Sequence, residues 1–139
     1  MKVKKLLPNA KLPIKKNPGD AGFDLSTPMA VQLKPGEHKQ VQLGIAIEID
    51  NDEVALVQGR SGLAISHGIT TIGNVIDSGY RGQISAILVN YGQKSVLFNP
   101  GDRIAQLVIL KLGNQIIEST ESLSEAIRGD KGYGSSGLS

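Results

Sequence analysis

The sequence contains no cysteine, and that absence excludes three kinds of chemistry. A chain without thiols cannot form a disulfide scaffold, a thiolate zinc site or a cysteine nucleophile. Long apolar runs are also missing, since none approaches the ~18 residues that span a bilayer. The first fifteen residues lack the apolar core of a signal peptide. We therefore expect a soluble, cytoplasmic protein with no membrane partner.

Aromatic side chains and net charge are both scarce. The formal net charge of +2 is too small to indicate a nucleic-acid surface, so no nucleic-acid partner is expected. The lysines among residues 2–16 are predicted to form a solvated edge. Because rings are few, aliphatic side chains must form most of the core. The five rings are Phe23, Tyr80, Tyr91, Phe98 and Tyr133.

Strand periodicity dominates what is present. Short runs with apolar and polar residues in alternation, or rich in Val and Ile, are separated by turn-forming residues. This pattern indicates an all-β sandwich, jelly roll or barrel, and 139 residues without linker or repeat predict one domain. Only 61–67 and 122–127 have the composition of short helices. The predicted strands are 31–34, 41–49, 54–57, 83–90, 94–98 and 104–112.

The chain ends in a segment with four glycines among residues 128–139 and almost nothing apolar. Such a segment buries too little surface to offset its ordering entropy. We therefore predict a β domain over residues 1–127 and a flexible tail over residues 128–139. The tail is either a plain frayed end or a segment that wraps phosphates and stacks on a base, since it interleaves Arg, Lys, Tyr and Ser with glycines.

The segment 59–64 reads Gly-Arg-Ser-Gly-Leu-Ala and lies between a predicted strand and a predicted helix. Its glycines let backbone N–H groups approach an anion, Ser61 adds a hydroxyl donor, and Arg60 offers a planar fork for phosphate. The Gly-Lys-Ser/Thr ending of a Walker A loop is absent. Alone, the segment indicates either a phosphate site or an ordinary turn.

The segment 75–82 reads Val-Ile-Asp-Ser-Gly-Tyr-Arg-Gly. Two β-branched residues place Asp77 at the end of a strand, where its carboxylate could take a proton from water. Tyr80 adds a flat ring and a hydroxyl beside it. The local sequence by itself favours a structural role, in which Asp77 caps its own turn.

Polar side chains also stand in or beside apolar strands at two other places. Asp24 lies between two apolar residues and needs a partner or a metal-bound water. Gln106 is a long polar side chain in an apolar strand. Asp102 and Arg103, just before it, are expected to pair across a turn, which contributes little if exposed.

Five segments, in this order, resemble the five motifs of the trimeric dUTPases: residues 21–25, 59–64, 75–82, 100–107 and 128–137. The resemblance spans nearly the whole chain. It implies a jelly-roll-like β barrel and a homotrimer whose three active sites are shared between subunits. It also implies hydrolysis of dUTP to dUMP and pyrophosphate, which keeps uracil out of DNA and supplies dUMP for thymidylate synthesis.

The resemblance assigns roles to residues of this chain. Asp77 corresponds to the carboxylate that activates water for attack on the α-phosphorus, and Tyr80 to the ring packed under the deoxyribose. Uracil is read mainly by the backbone of a narrow hairpin, which rejects thymine by sterics and cytosine by hydrogen-bond polarity. The implied base contacts are Thr71, Asn74, Val75, Ile76 and Ser85. The implied phosphate contacts are Arg60, Ser61, Gly62 and Gln106.

The tail is implied to close over the substrate as a lid. Mg²⁺ is implied as the cofactor, held by the phosphates and water with no direct protein ligand, and with Asp24 at most behind a bound water. The implied tail contacts are Arg128, Ser135 and Ser136 on the terminal phosphates, Tyr133 over the uracil, and Lys131, Gly132 and Gly134.

The chain departs from the family pattern at three positions. Tyr133 stands where the family often has Phe, and Asn74 where Gly is common. Thr71 stands where many bacterial members have Asn, which leaves a side-chain contact to the base open at that position.

Two other functions fit parts of the pattern. A dCTP deaminase has a similar fold but uses a Glu in the strand after the Tyr-Arg-Gly turn, whereas residues 83–90 contain no acidic residue. A binding or regulatory protein without catalysis is disfavoured by the intact Asp77, Tyr80 and tail. The sequence leaves a regulatory protein partner undecided.

Overall fold

The computed structural model describes residues 1–113, 115–127 and 129–130. Within them the chain forms eleven strands and one helix. The elements are β1 (Lys2–Lys5), β2 (Phe23–Ser26), β3 (Val31–Leu33), β4 (His38–Gln42), β5 (Ile45–Glu48), β6 (Glu53–Gln58), α1 (Ser61–His67), β7 (Ile69–Ile72), β8 (Val75–Asp77), β9 (Ser85–Asn90), β10 (Val96–Phe98) and β11 (Arg103–Lys111).

Four antiparallel sheets surround one core. Their strand orders are β1-β5, β10-β3, β2-β11-β6-β8 and β4-β9-β7. The core is aliphatic as predicted, with Leu33, Leu88 and Leu107 fully inaccessible to solvent, and Phe98 is the one buried ring among the described residues. The predicted all-β class is confirmed. No membrane-spanning helix occurs in the described part of the chain.

The predicted strand 41–49 is two strands, because Gly44 interrupts it. Gly44 adopts a φ of +71°, a conformation that favours glycine. The two halves then pair with different partners, β4 with β9 and β5 with β1. The pairing with β5 also makes a strand of Lys2–Lys5, where the sequence predicted only a solvated edge.

The helix prediction is confirmed for 61–67 and wrong for 122–127. Helix α1 ends at Gly68, whose φ of +69° allows its N–H to donate to the carbonyl of Ala64. Residues 122–126 have no regular structure. Leu123 and Ile127 are fully exposed, and so short a helix is unstable in water without packing.

Strand β6 connects the elements that carry the predicted site residues. At the start of β6, Val54 lies opposite Asp77 of β8. At its end, Gln58 lies opposite Gln106 of β11, and Arg60 follows directly. The predicted division at residue 128 stays a prediction, since Arg128 and residues 131–139 lie outside the described residues.

Candidate functional site

A cavity of about 380 Å³ lies where β2, β11 and the start of α1 meet. We call it the anion cavity. Its lining includes five of the candidate site residues predicted from the sequence, which come from three of the segments. They are Asp24, Arg60, Ser61, Gly62 and Gln106.

Asp24 pairs with two arginine side chains of this cavity. One carboxylate oxygen lies 3.1 Å from Arg60 Nε and the other lies 2.9 Å from Arg103 Nη1. Arg60 Nη1 also donates to the carbonyl of Arg103 at 2.9 Å. The side chain of Asp24 is only 16% exposed, so its charge is satisfied by guanidinium partners rather than by water. The partner that the sequence required for Asp24 is thus found.

The predicted pair between Asp102 and Arg103 is wrong. Asp102 accepts a 2.7 Å hydrogen bond from the backbone N–H of Asn99, which closes the turn before β11. Because this turn uses the Asp102 carboxylate, the Arg103 guanidinium is available to Asp24 across the sheet.

The remaining donors of the anion cavity are arranged by close backbone packing. Gln106 Nε2 donates to the carbonyl of Gly59 at 2.9 Å, which fixes the amide at the cavity edge. A Cβ at Gly22 would collide with the same amide and displace it, so glycine lets the amide occupy this position. Ser61 and Gly62 are exposed at the first turn of α1, and no described atom lies within 4 Å of a Cβ built on Gly62.

A second cavity, of about 200 Å³, lies beside β8 and contains Asp77. We call it the Asp77 cavity. It is lined by the predicted residues Asn74, Val75, Ile76, Asp77, Tyr80 and Ser85, together with Val57, Gly73, Gln83 and Ile84.

The turn after β8 positions Asp77 and Tyr80 relative to each other. The backbone N–H of Tyr80 donates to the carbonyl of Asp77 at 3.0 Å, and Tyr80 Oη donates to the carbonyl of Gln83 at 3.1 Å. The ring lies directly against Gly82, where any Cβ would collide with it. The backbone therefore closes this turn. The carboxylate of Asp77 is exposed and accepts no hydrogen bond from a described residue.

The connection from β7 to β8 is not a hydrogen-bonded hairpin. Strand β7 pairs with β9 and β8 pairs with β6, so the chain crosses between sheets at Gly73, whose φ is +62°. The backbone at Asn74 is held by β6 instead, because the N–H of Val57 donates to the carbonyl of Asn74 at 2.9 Å.

The three polar base-contact candidates are placed differently. Thr71 is buried outside the cavity lining, and its hydroxyl donates to the carbonyl of Val57 at 3.2 Å. Asn74 Oδ1 is buried without a hydrogen-bond partner among the described residues. Ser85 Oγ accepts a 3.0 Å hydrogen bond from Gln40 Nε2, so its backbone remains the nearer candidate for the base. Because Thr71 is buried and its hydroxyl bonds to Val57, its side chain could contact the base only if the local structure rearranged.

The two cavities share no lining residue. Asp77 lies opposite Val54, whereas Gln106 lies opposite Gln58 on the far side of β6. Four residues of strand correspond to about 13 Å, and two strand spacings add about 10 Å across the sheet. Within one chain, Asp77 and the anion cavity are therefore too far apart to act on the same phosphate.

No group of three metal-ligating side chains occurs among the described residues. The anion cavity instead offers N–H and guanidinium donors, and both oxygens of Asp24 are engaged by cations. Such a donor set binds anions. A Mg²⁺ ion fits here only when its ligands are phosphate oxygens and water.

Sequence reasoning missed several residues of the two cavities. Lys16 and Asp20 line the anion cavity, and Gln83 accepts from Tyr80 through its carbonyl. The position of Lys16, shortly before the 21–25 segment, could have indicated this role. The sequence pattern instead predicted a solvated edge for all the lysines of residues 2–16. The predicted tail contacts from Arg128 and from Lys131 to Ser136 lie outside the residues that the structure describes.

Comparison with known proteins places this arrangement in one family. The dUTPase family model matches residues 8–137. The deoxyuridine 5'-triphosphate nucleotidohydrolase of Crocosphaera subtropica is 41% identical over 140 residues, which cover 99% of this chain and 99% of that relative. The enzyme of the same name from Clostridium tetani is 40% identical over 139 residues, covering 99% of this chain and 96% of that relative.

Solved structures agree with the sequence relatives. The dUTPase of Staphylococcus bacteriophage 80alpha with dUPNHPP superimposes with a TM-score of 0.93 at 28% identity, covering 99% of this chain and 98% of that one. A dUTPase of phage phi11 of S. aureus, described with a structural Mg(II) ion, has a TM-score of 0.82 at 24% identity, covering 89% and 98%. The predicted jelly-roll-like fold is thereby confirmed.

Proposed function

As a member of the dUTPase family the chain is a dUTP diphosphatase, and we propose that Asp77 activates the water that attacks the α-phosphorus. The water oxygen would bond to the α-phosphorus and its proton would pass to the Asp77 carboxylate. The bond from the α-phosphorus to the bridging oxygen would break, so that pyrophosphate leaves and dUMP remains. In the cell, this reaction would keep uracil out of DNA and supply dUMP for thymidylate synthesis.

One observation carries the assignment of Asp77. Its carboxylate is exposed at the Asp77 cavity and accepts no hydrogen bond from a described residue, although Asp often caps its own turn. A carboxylate with free oxygens can hold water, and a general base must lie within ~3 Å of the proton it takes. Within the described part of the chain, no side-chain hydrogen bond supports the alternative, structural role of Asp77.

The shape of the Asp77 cavity supports recognition of a deoxynucleoside. The cavity of about 200 Å³ has room for a pyrimidine ring. Tyr80 is half-exposed at its edge, where a flat ring would pack under the deoxyribose and leave no room for a 2′-hydroxyl. Uracil would be read by the backbone around Asn74, Val75, Ile76 and Ser85.

The anion cavity would hold the triphosphate. Arg60 presents a guanidinium already oriented by Asp24, and Ser61, Gly62 and Gln106 add neutral donors. When bound, Mg²⁺ would offset phosphate charge and align the chain of phosphates. Its ligands would come from the substrate and water, with Asp24 at most behind a water.

We further propose that each active site combines the Asp77 cavity of one subunit with the anion cavity of another. The separation of about 13 Å along β6 and about 10 Å across it supports this, since one chain cannot place both sets of groups on one phosphate. The segment after β11 also presents exposed apolar side chains that suit burial against another copy. They are Ile116, Ile117, Leu123 and Ile127. A homotrimer is the assembly that the family implies.

The tail would complete the site as a lid. Residues 128–139 carry the predicted contacts of Arg128, Tyr133 and the Ser135–Ser136 pair. Deletion of 128–139 should reduce turnover strongly and leave the melting temperature within a few degrees, because the core ends before that point. A large loss of melting temperature would show instead that the tail is structural.

A pyrophosphate-release panel tests the reaction. We expect rapid release from dUTP and at least tenfold slower release from dTTP, dCTP and UTP at equal concentration. Ammonia release from dCTP, measured in the same samples, would detect deamination. Equal pyrophosphate release from all four nucleotides would overturn the assignment.

Subunit complementation tests the shared site. Asp77→Asn and Arg60→Met chains should each be nearly inactive alone, but co-refolding them should restore about a quarter of wild-type activity if each site draws on two chains of a symmetric ring. A solution mass measurement on the same mixture checks that trimers form. If both cavities served one site within a single chain, mixing would restore nothing.

A further inference from the structure

A short antiparallel bridge positions the segment before β2 at the anion cavity. The backbone N–H of Asp24 donates to the carbonyl of Ile14 at 2.7 Å, and that of Ile14 donates back at 3.4 Å. Residues opposite each other in such a pairing point to the same face, and the faces alternate along the chain. Lys16, two residues after Ile14, lies in the bend that follows the bridge and lines the anion cavity together with Asp24.

The neighbouring lysine demonstrates the alternation. Lys15 Nζ lies 4.8 Å from the centroid of the Phe23 ring, one residue before Asp24 on the opposing strand. Lys15 is thus turned to the other face, and it does not line the anion cavity, whereas Lys16 does. Two adjacent residues of equal charge accordingly have different surroundings.

The turn that follows Lys16 is well braced. Asp20 accepts a 2.8 Å hydrogen bond from the backbone N–H of Asn17, and its own N–H donates back to the carbonyl of Asn17 at 3.1 Å. The N–H of Asn17 also holds the pKa of the Asp20 carboxyl below its usual value, so the brace is intact at neutral pH. The Lys16 side chain therefore extends from a loop of fixed geometry at the rim of the anion cavity.

The charge balance of the cavity gives Lys16 a distinct role. Three cationic and two carboxylate side chains line it, and Asp24 pairs with both Arg60 and Arg103. The Lys16 ammonium has no ion pair or hydrogen bond with another described side chain. The lining carries a net charge of +1, and the Lys16 ammonium, which binds phosphate as a mobile point charge, is free to meet a phosphate.

On the basis of the proposed function, we propose that Lys16 is a further substrate-binding residue, with its ammonium on the pyrophosphate portion of the triphosphate. In the shared site the nucleoside lies in the Asp77 cavity, and the α-phosphate lies between the Asp77 carboxylate and the anion cavity. Lys16, in the other cavity, binds the part that leaves as pyrophosphate. It therefore favours the triphosphate over the monophosphate product, which lacks those groups.

Adjacent substitutions in the full-length protein provide the matched test. Lys16→Met and Lys15→Met remove the same charge one residue apart, so long-range electrostatics changes about equally. We expect Lys16→Met to raise the KM for dUTP about tenfold, the lower end for a hydrogen bond to a charged group, with kcat nearly unchanged. Lys15→Met should change KM less than twofold, and Lys16→Arg should restore most of the binding.

Binding of inorganic triphosphate, followed by calorimetry, separates this proposal from the assigned reaction. Lys16→Met should weaken inorganic triphosphate about tenfold and dUMP less than twofold. Equal effects of Lys16→Met and Lys15→Met on triphosphate would overturn the role of Lys16 even if dUTP is hydrolysed. Loss of triphosphate binding confined to Lys16→Met would support it even if the nucleotide panel rejected dUTP.

Discussion

In the anion cavity the charged side chains pair with one another, whereas in the Asp77 cavity the backbone closes the turn and the carboxylate has no partner among the described residues. Asp24 engages Arg60 and Arg103 before any substrate arrives. Asp77 is exposed, and the turn beside it is closed by the carbonyl and N–H groups of the chain itself. One cavity is preorganised through charge and the other through main-chain geometry.

This difference matches what each cavity has to do. A binding site for phosphates benefits from cations fixed in advance, because the cost of ordering them is met on folding. A base has to keep its lone pairs available for water, so a strong ion pair to Asp77 would compete with catalysis. Mutations in the two cavities should accordingly change different kinetic parameters.

The largest effect is expected from Asp77→Asn. Loss of a general base should lower kcat about 10²–10⁴-fold. KM and the melting temperature should change little, because the side chain is exposed and unpaired among the described residues. Pyrophosphate release measures the loss, and binding of a non-hydrolysable dUTP analogue provides the control. Turnover within threefold of wild type would rule Asp77 out as the base.

Asp24→Asn should break the anion cavity instead. Two opposing effects compete: the open mouth of the cavity gains net positive charge, worth less than ~1 kcal/mol toward a solvated phosphate, and Arg60 loses its orienting partner, worth about 1.5–3 kcal/mol. The second is larger, so KM should rise roughly tenfold and the melting temperature should fall by a few degrees. Asp52→Asn breaks an exposed pair with Lys111 and serves as the control.

Gly82→Ala should lower the preference for dUTP over UTP more than it lowers the kcat for dUTP. The new Cβ would collide with the Tyr80 ring, so the ring must move from the cavity edge. The preference for dUTP over UTP should then fall about tenfold, as expected for a change of one methyl group in a pocket. Gly79→Ala lies in the same turn with open space around it and should leave that ratio intact.

Substitutions at Gly62 and Gly68 should have different effects, one on activity and the other on stability. A Cβ on Gly62 meets nothing within 4 Å, so Gly62→Ala should keep or slightly raise the melting temperature while reducing kcat/KM if phosphate approaches there. Gly68 has a φ of +69° and a Cβ there would lie 2.6 Å from the backbone of Gly92. Gly68→Ala should therefore cost about 1–3 kcal/mol of stability.

The smallest effect is expected from acid. Hydrogen bonds from backbone N–H groups or lysines lower the pKa of Asp20, Glu37, Glu48 and Asp52 in the folded protein. A lowered pKa contributes stability that is present above the unfolded value and is lost as the pH falls through the folded value. The melting temperature should thus stay flat from pH 7 to about 5 and decline below about 4. Added salt should reduce this decline, because all four groups are at least partly exposed.

Local pattern predicted part of the site well. Two β-branched residues followed by Asp-Ser-Gly indicated a strand that ends at Asp77, and β8 ends there. The glycine-flanked Arg60 was expected between a strand and a helix, and it lies between β6 and α1. Both predictions depend only on neighbouring residues, whose conformational preferences act over a few positions.

Contacts between distant residues could not be read in this way. Arg103 was assigned to Asp102, its neighbour, but the turn at Asn99 uses that carboxylate and β11 presents Arg103 to Asp24 instead. Similarly, the lysine-rich run does not indicate that Lys16 lines the anion cavity. The Ile14–Asp24 bridge, which brings this segment to the cavity, forms only in the folded chain. Alternation also failed at Gly44, because a hydrophobic pattern does not record a change of φ.

The sequence by itself determined the all-β class, the aliphatic core and the residue types that the chemistry requires, because periodicity and side-chain chemistry are local properties. The tertiary structure decided which charges meet and how far apart the two cavities lie. Strand register sets Asp77 at one end of β6 and Gln106 at the other. Register arises from pairing between remote segments, so only the folded structure gives the distance that separates the two cavities within one chain.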